Sequence, residues 1–136
     1  MRRPLKASVA AIAAALIGTG VAAQYVPPSW PGLSRAVLLH RDLSIPGREA
    51  YQIRVDFVRG SAASRHRHPG EELVYVLKGA LEYRLDGATP VTLKAGDALF
   101  IPAGVAHSVR NVGNGPASEL GTYIVEKGKP LVTAAE

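Results

Sequence analysis

From Ala50 onward, apolar and polar residues alternate with a period of two. Tyr51, Ile53, Val55 and Phe57 fall on one side while Gln52, Arg54 and Asp56 fall on the other, which predicts a half-buried strand. Leu73–Val74–Tyr75–Val76–Leu77 is a short β-rich run stopped by Lys78–Gly79. Leu81, Tyr83 and Leu85 alternate with Glu82, Arg84 and Asp86, and Asp86–Gly87 predicts a hairpin turn. Val91–Thr92–Leu93, Ala98–Leu99–Phe100–Ile101 and His107–Ser108–Val109 continue the series, and Tyr123–Ile124–Val125 closes it. Short strands recurring about every ten residues, with Gly, Pro or Asp between them, predict an all-β barrel or sandwich of antiparallel sheets. No helical period of ten or more residues follows Ala23.

The segments outside this series read differently. Arg2, Arg3 and Lys6 precede an uncharged, alanine-rich run from Ala7 to Val21, and small residues at Ala22–Ala23 offer a cleavage point before Gln24. Residues 1–23 therefore read as an export signal cleaved after Ala23, placing the mature chain in the periplasm or outside the cell without a stable membrane anchor. An uncleaved anchor is the alternative, but the run is short and weakly hydrophobic for a span of roughly 20 residues. Arg2–Arg3 hints at twin-arginine export, although the surrounding residues match that signal poorly. Residues 24–48 read as an extended arm, proline-rich at Tyr25–Val26–Pro27–Pro28–Ser29–Trp30–Pro31–Gly32, that either wraps a barrel or serves as an unstructured linker. Residues 49–127 read as the barrel, and residues 128–136 as a C-terminal tail.

With 136 residues the chain has one domain's length, and 14 glycines with 10 prolines suit a turn-rich β fold. The net charge of +5 shrinks once the signal is set aside: without Arg2, Arg3 and Lys6, 13 basic residues face 11 acids. No basic stripe interleaved with aromatics remains, so nucleic acid is excluded as a partner. The cysteine count of 0 leaves no lipid acceptor and no disulfide, so any metal must be held by nitrogen and oxygen donors.

Such donors are present. His66 and His68 lie two apart, so in a strand both side chains leave the same face, and Pro69–Gly70 turns the chain so that Glu72 can return towards them. His107 follows the tight connection Pro102–Ala103–Gly104–Val105–Ala106. If the two segments lie side by side, three imidazoles and a carboxylate converge on a point that suits one divalent transition ion: Fe, Mn, Ni, Cu or Zn. The alternative is a barrel that retains the four donors without using them. Both segments resemble the two defining motifs of the cupins. The first reads Gly60, His66, His68, Glu72 and Gly79; the second reads Gly96, Pro102, Gly104, His107 and Asn111, with every motif position filled.

The resemblance implies a double-stranded β-helix (jelly-roll) barrel with one metal in its mouth, a small-molecule ligand or substrate, and commonly a homodimer. It does not imply one reaction. Three activities compete: an Fe- or Mn-type oxygenase in which Glu72 doubles as a base; a metal-dependent isomerase or lyase, which needs a separate acid or base; and a non-catalytic metal- or ligand-binding module. Among the remaining side chains, Gly60, Gly79, Gly96 and Gly104 are expected at tight turns or positive φ. Asn111 is expected to bond backbone or to lie near the site. His40 and Glu71 are expected in solvent. Tyr75, Tyr83 and Phe100 are read as core residues, with pocket lining as the alternative, and Arg54 as a candidate contact for a substrate anion.

Overall fold

A computed structural model describes residues 28–136; the export-signal reading and the cleavage point after Ala23 lie outside the described residues. Ten strands follow one another: β1 (Leu33–Asp42), β2 (Arg48–Phe57), β3 (Ala62–Arg67), β4 (Gly70–Lys78), β5 (Ala80–Leu85), β6 (Val91–Lys94), β7 (Ala98–Ile101), β8 (His107–Asn111), β9 (Ala117–Glu126) and β10 (Thr133–Ala134). They form two five-stranded antiparallel sheets, ordered β1-β2-β9-β4-β7 and β10-β3-β8-β5-β6. No helix occurs among the described residues. The all-β expectation holds.

The alternation anticipated along β2, β4 and β5 sorts side chains between the inside and the outside. Ile53, Val55 and Phe57 from β2, Val74 and Val76 from β4, and Leu81 and Tyr83 from β5 are buried together with Ile101, Val109 and Val125 between the sheets. Complete burial of each such side chain contributes on the order of 1.5–3 kcal/mol, which makes this the dominant favourable term holding the sheets face to face. Polar partners cross the same space: the Tyr83 hydroxyl on β5 donates to Glu119 on β9.

Two outer segments belong to the sheets. Leu33–Asp42, within the stretch read as an arm, is a ten-residue edge strand paired with β2 from Leu33↔Phe57 to Asp42↔Glu49, with a bulge between Val37 and Leu39. Thr133–Ala134, within the expected tail, pairs with Arg67 and His66 of β3, and Val132 beside it is buried. The bulge hides the first of these from a period-two reading, because it shifts which side chains face inward.

All four motif glycines at 60, 79, 96 and 104 adopt positive φ, as expected. Asn111 is buried; its side-chain amide donates to the carbonyls of Phe57, Val58 and Gly115, and its oxygen accepts from Gly113 N–H. It therefore ties three backbone segments together. Tyr75 and Phe100 depart from expectation. They are 47% and 57% exposed on the outer face of β4 and β7, beside Leu73 and Leu77, because the alternation points Val74 and Val76 inward on β4 and Leu99 and Ile101 inward on β7.

Gly70 is constrained by space rather than by φ. A Cβ there would sit 2.0 Å from the Ile124 carbonyl oxygen and 2.6 Å from Val125 Cα, both backbone of β9. Gly70→Ala must therefore push β4 off β9 just where Glu72 emerges. Urea denaturation should show a loss of about 2–3 kcal/mol for Gly70→Ala. Gly87→Ala, at a turn with open space around it and a φ of 77°, should cost only about 1 kcal/mol.

Candidate metal centre

His66 ends the inward face of β3, and His107 opens β8 directly opposite, the two being cross-strand partners. His68 lies just beyond β3, and Glu72 is the second inward residue of β4 after Gly70. Each of the four is at most 5% exposed. One ring nitrogen from each of His66, His68 and His107 can be chosen so that all three lie within 4.8 Å of one another, close enough that small rotations would bring them to the roughly 2.1 Å of a metal–imidazole bond. These three histidines can hold a metal ion.

The hydrogen bonds around the rings support that use. His66 Nδ1 lies 2.6 Å from the Ser64 carbonyl, His107 Nδ1 3.0 Å from Val105 O, and His68 Nδ1 2.7 Å from Leu131 O. A carbonyl only accepts, so each Nδ1 carries the proton and donates it. Each Nε2 is left as a lone-pair donor. The Nε2 atoms of His68 and His107 are fully buried without a hydrogen-bond partner, a state that costs about 1–3 kcal/mol per atom unless something binds there. Both face Glu72 Oε2, at 3.2 and 3.3 Å, without hydrogen-bond alignment. Separations near 3 Å are those of adjacent donors around a single ion with bonds of about 2.1 Å. The donor set fits a divalent transition ion.

Charge states agree with this. Burial, reinforced by neighbouring His107, pushes His66 down to about 3, so its ring is neutral and ready to ligate near neutral pH. Burial raises the Glu72 carboxyl, and protonated His107 and His68 rings would lower it; with both Nε2 atoms bare, a bound cation is what would hold it ionised.

A small cavity of about 20 Å³ lies beside the four residues. Trp30, Arg35, Glu119, Tyr123 and Val132 are among its other walls. The Trp30 ring lies 4.9 Å from that of His66, and the Arg35 guanidinium sits 4.5 Å over Trp30 while donating to the Pro28 carbonyl. Tyr123, cross-strand partner of Glu72, packs edge-on against His68 at 4.8 Å. Glu119 is a second buried carboxyl, which accepts from Tyr83. Burial first, then the charge of Glu72, raises it to about 8 against the pull of the Tyr83 hydrogen bond and Arg35.

The fold thus brings together the four residues that the sequence singled out, three of them histidines that can hold a metal ion. The sequence missed Trp30, Arg35, Glu119, Tyr123 and Leu131, which carry no motif. Tyr83 is buried as expected, and its hydroxyl serves Glu119. Arg54 does not reach the cavity: it points outward from β2 and pairs with Asp56 at 3.0 Å. His40 is half exposed, stacked on Tyr51 and bonded to Glu49, while Glu71 is only partly exposed.

The family model described as Cupin domain matches residues 53–132. A polyketide synthase protein, CurC, from Streptomyces cyaneus is 48% identical over 56 residues, covering 40% of this chain and 36% of that protein. Among solved structures, an uncharacterised double-stranded β-helix protein from Klebsiella pneumoniae superposes with a TM-score of 0.63 at 25% identity, covering 85% of this chain and 94% of that one. A predicted oxalate decarboxylase from Thermotoga maritima superposes with a TM-score of 0.59 at 30% identity, covering 69% and 80%. The chain spans less than half the length of the first curated relatives it matches, 36% to 46% of each.

Two outcomes are expected. Trp30 is the chain's single tryptophan and touches a donor ring, so Co²⁺ or Cu²⁺ should quench its fluorescence with one-to-one stoichiometry. His107→Ala should weaken that titration by about 100-fold. The second outcome concerns pH in the metal-free protein. Glu119 keeps its proton in the fold up to about 8 but loses it near 4.5 when unfolded, so stability should fall as pH rises through that window. Thermal denaturation of Glu119→Gln should show this alkaline decline flattened.

Proposed function

Because the chain belongs to the cupin family, we propose that it is a metal-dependent enzyme that binds one divalent transition ion through His66, His68, His107 and Glu72 and oxidises a small organic molecule in the adjoining cavity. The observation that carries this reading is the shared tautomer: three backbone carbonyls hold three Nδ1 protons, and the freed Nε2 atoms converge in a buried space. These residues would hold an Fe or Mn ion and leave it accessible to a small-molecule ligand from the cavity. When bound, the ion holds and polarises an oxygen-bearing ligand.

The chain's own residues do the rest. Glu72, ionised beside a bound cation, would serve as the fourth donor. Tyr123 and Trp30 wall the site and limit water around the donors. Arg35 brings a positive charge to the cavity, which favours an anionic ligand such as a small organic acid. The resemblance to the predicted oxalate decarboxylase supports the same ligand class.

A second reading, a metal-dependent isomerase or lyase, gains from one observation. That chemistry needs an acid or base besides the metal donors, and Glu119 is such a group in the same cavity. Elemental analysis of the purified protein, with an oxygen electrode and a panel of small organic acids, separates the two. About one Fe or Mn per chain with oxygen uptake supports the oxidative reading. Zinc at full occupancy without oxygen uptake overturns it in favour of the second. His66→Ala/His68→Ala that still binds metal tightly overturns the site itself.

A further inference from the structure

The buried carboxyl of Glu119 belongs to no metal motif, and a polar residue in a barrel core is costly unless it is satisfied or used. Its position is set by the sheet register. On the inward face, one row runs Arg35 on β1, Val55 on β2, Glu119 on β9 and Val76 on β4. The donor level lies two inward positions further along β9, where Tyr123 pairs with Glu72. Between these levels β9 has Gly121, opposite Ile53 and Val74, and so contributes no side chain of its own there. The Tyr123 ring folds over that glycine instead: a Cβ on Gly121 would lie 2.7 Å from the Tyr123 hydroxyl. Glu119 and the metal donors thus line one cavity from two levels separated by the Gly121 row.

We propose that Glu119 is the acid–base residue of this cavity, taking a proton from, and returning it to, a carbon atom beside the carbonyl of a bound 2-oxo acid. The ligand class follows from the walls. A donor set for a metal ion asks for a carbonyl or carboxylate oxygen, Arg35 for an anion, and a carboxyl base for an acidic C–H. A 2-oxo acid is among the smallest molecules that supply all three. In the step, the C–H bond breaks, an O–H bond forms on Glu119, and the electron pair moves into the carbonyl as an enolate. Return of the proton reverses each change, with no oxidant or reductant.

The groups facing Glu119 suit this use. Tyr83 from β5 donates to one carboxyl oxygen and fixes its orientation, while Glu72 from β4 disfavours its ionisation and Arg35 from β1 favours it. Tyr123 from its own strand faces it, and β2 contributes only the apolar Val55. The proposal rests on the reading of the cavity as a metal-dependent catalytic site.

The test uses the full chain loaded with zinc, which removes oxygen chemistry, and pyruvate in D₂O followed by proton NMR. The wild-type protein should exchange the methyl protons faster than the same concentration of zinc alone. Glu119→Gln, which preserves size and can still accept from Tyr83, should slow exchange by about 100-fold or more. Tyr83→Phe should retain exchange with its pH profile moved to higher pH, because a hydrogen bond that favours the ionised carboxyl is gone. With ¹³C-labelled glutamate, one carboxyl resonance should shift when pyruvate is added and be missing from Glu119→Gln. Exchange by Glu119→Gln at the wild-type rate overturns the proposal, and so does a wild-type protein no faster than zinc alone. Zinc stoichiometry in the same samples shows whether the metal-site reading falls with it.

Discussion

Everything at the centre of this barrel depends on three hydrogen bonds from imidazole Nδ1 atoms to backbone carbonyls. A neutral histidine has one protonated and one free nitrogen, and which is which decides whether the ring can ligate inward. Ser64 and Val105 supply two of the carbonyls from two residues upstream of His66 and His107, so local backbone geometry sets those tautomers. The third carbonyl, Leu131, comes from 63 residues downstream of His68. Such outer partners fix ring orientation and ligand basicity together.

Burial reinforces the arrangement. With these side chains excluded from water, the His66 imidazolium is disfavoured and the Glu72 carboxylate needs partners. His66 is driven to its neutral form by burial, while the Glu72 oxygen 3.2 and 3.3 Å from the bare Nε2 atoms of His68 and His107 calls for a cation between them. The orphaned Nε2 atoms are the cost of this design. They make little sense as core packing and good sense as ligands.

The sequence made the metal donors legible and left much of the cavity wall hidden, for one physical reason. Donors come with turn glycines, a proline and fixed spacing, all of which survive in one dimension. The wall comes from strands whose inward positions break the apolar alternation. Along β9 those positions are Ala117, Glu119, Gly121, Tyr123 and Val125, so only the three-residue run Tyr123–Val125 reads as strand. Along β1, Arg35 faces inward and a bulge follows Val37. Polar or absent side chains on an inner face are what a ligand cavity requires, and they are also what erases the signature of a strand. Leu131 contributes only a backbone oxygen, for which side-chain identity carries no signal.

The dependence of His68 on Leu131 has a consequence for the order of events in the life of the chain. Loop closure across 63 residues is slow relative to forming a hairpin, and β10 must dock on β3 before that carbonyl is in place. A nascent chain can therefore present His66 and His107 with their tautomers set locally, while His68 remains uncommitted until the C-terminal segment has arrived. The complete centre is a late product of assembly. The three-histidine set that can hold a metal ion is oriented in full only once the C-terminal segment has docked.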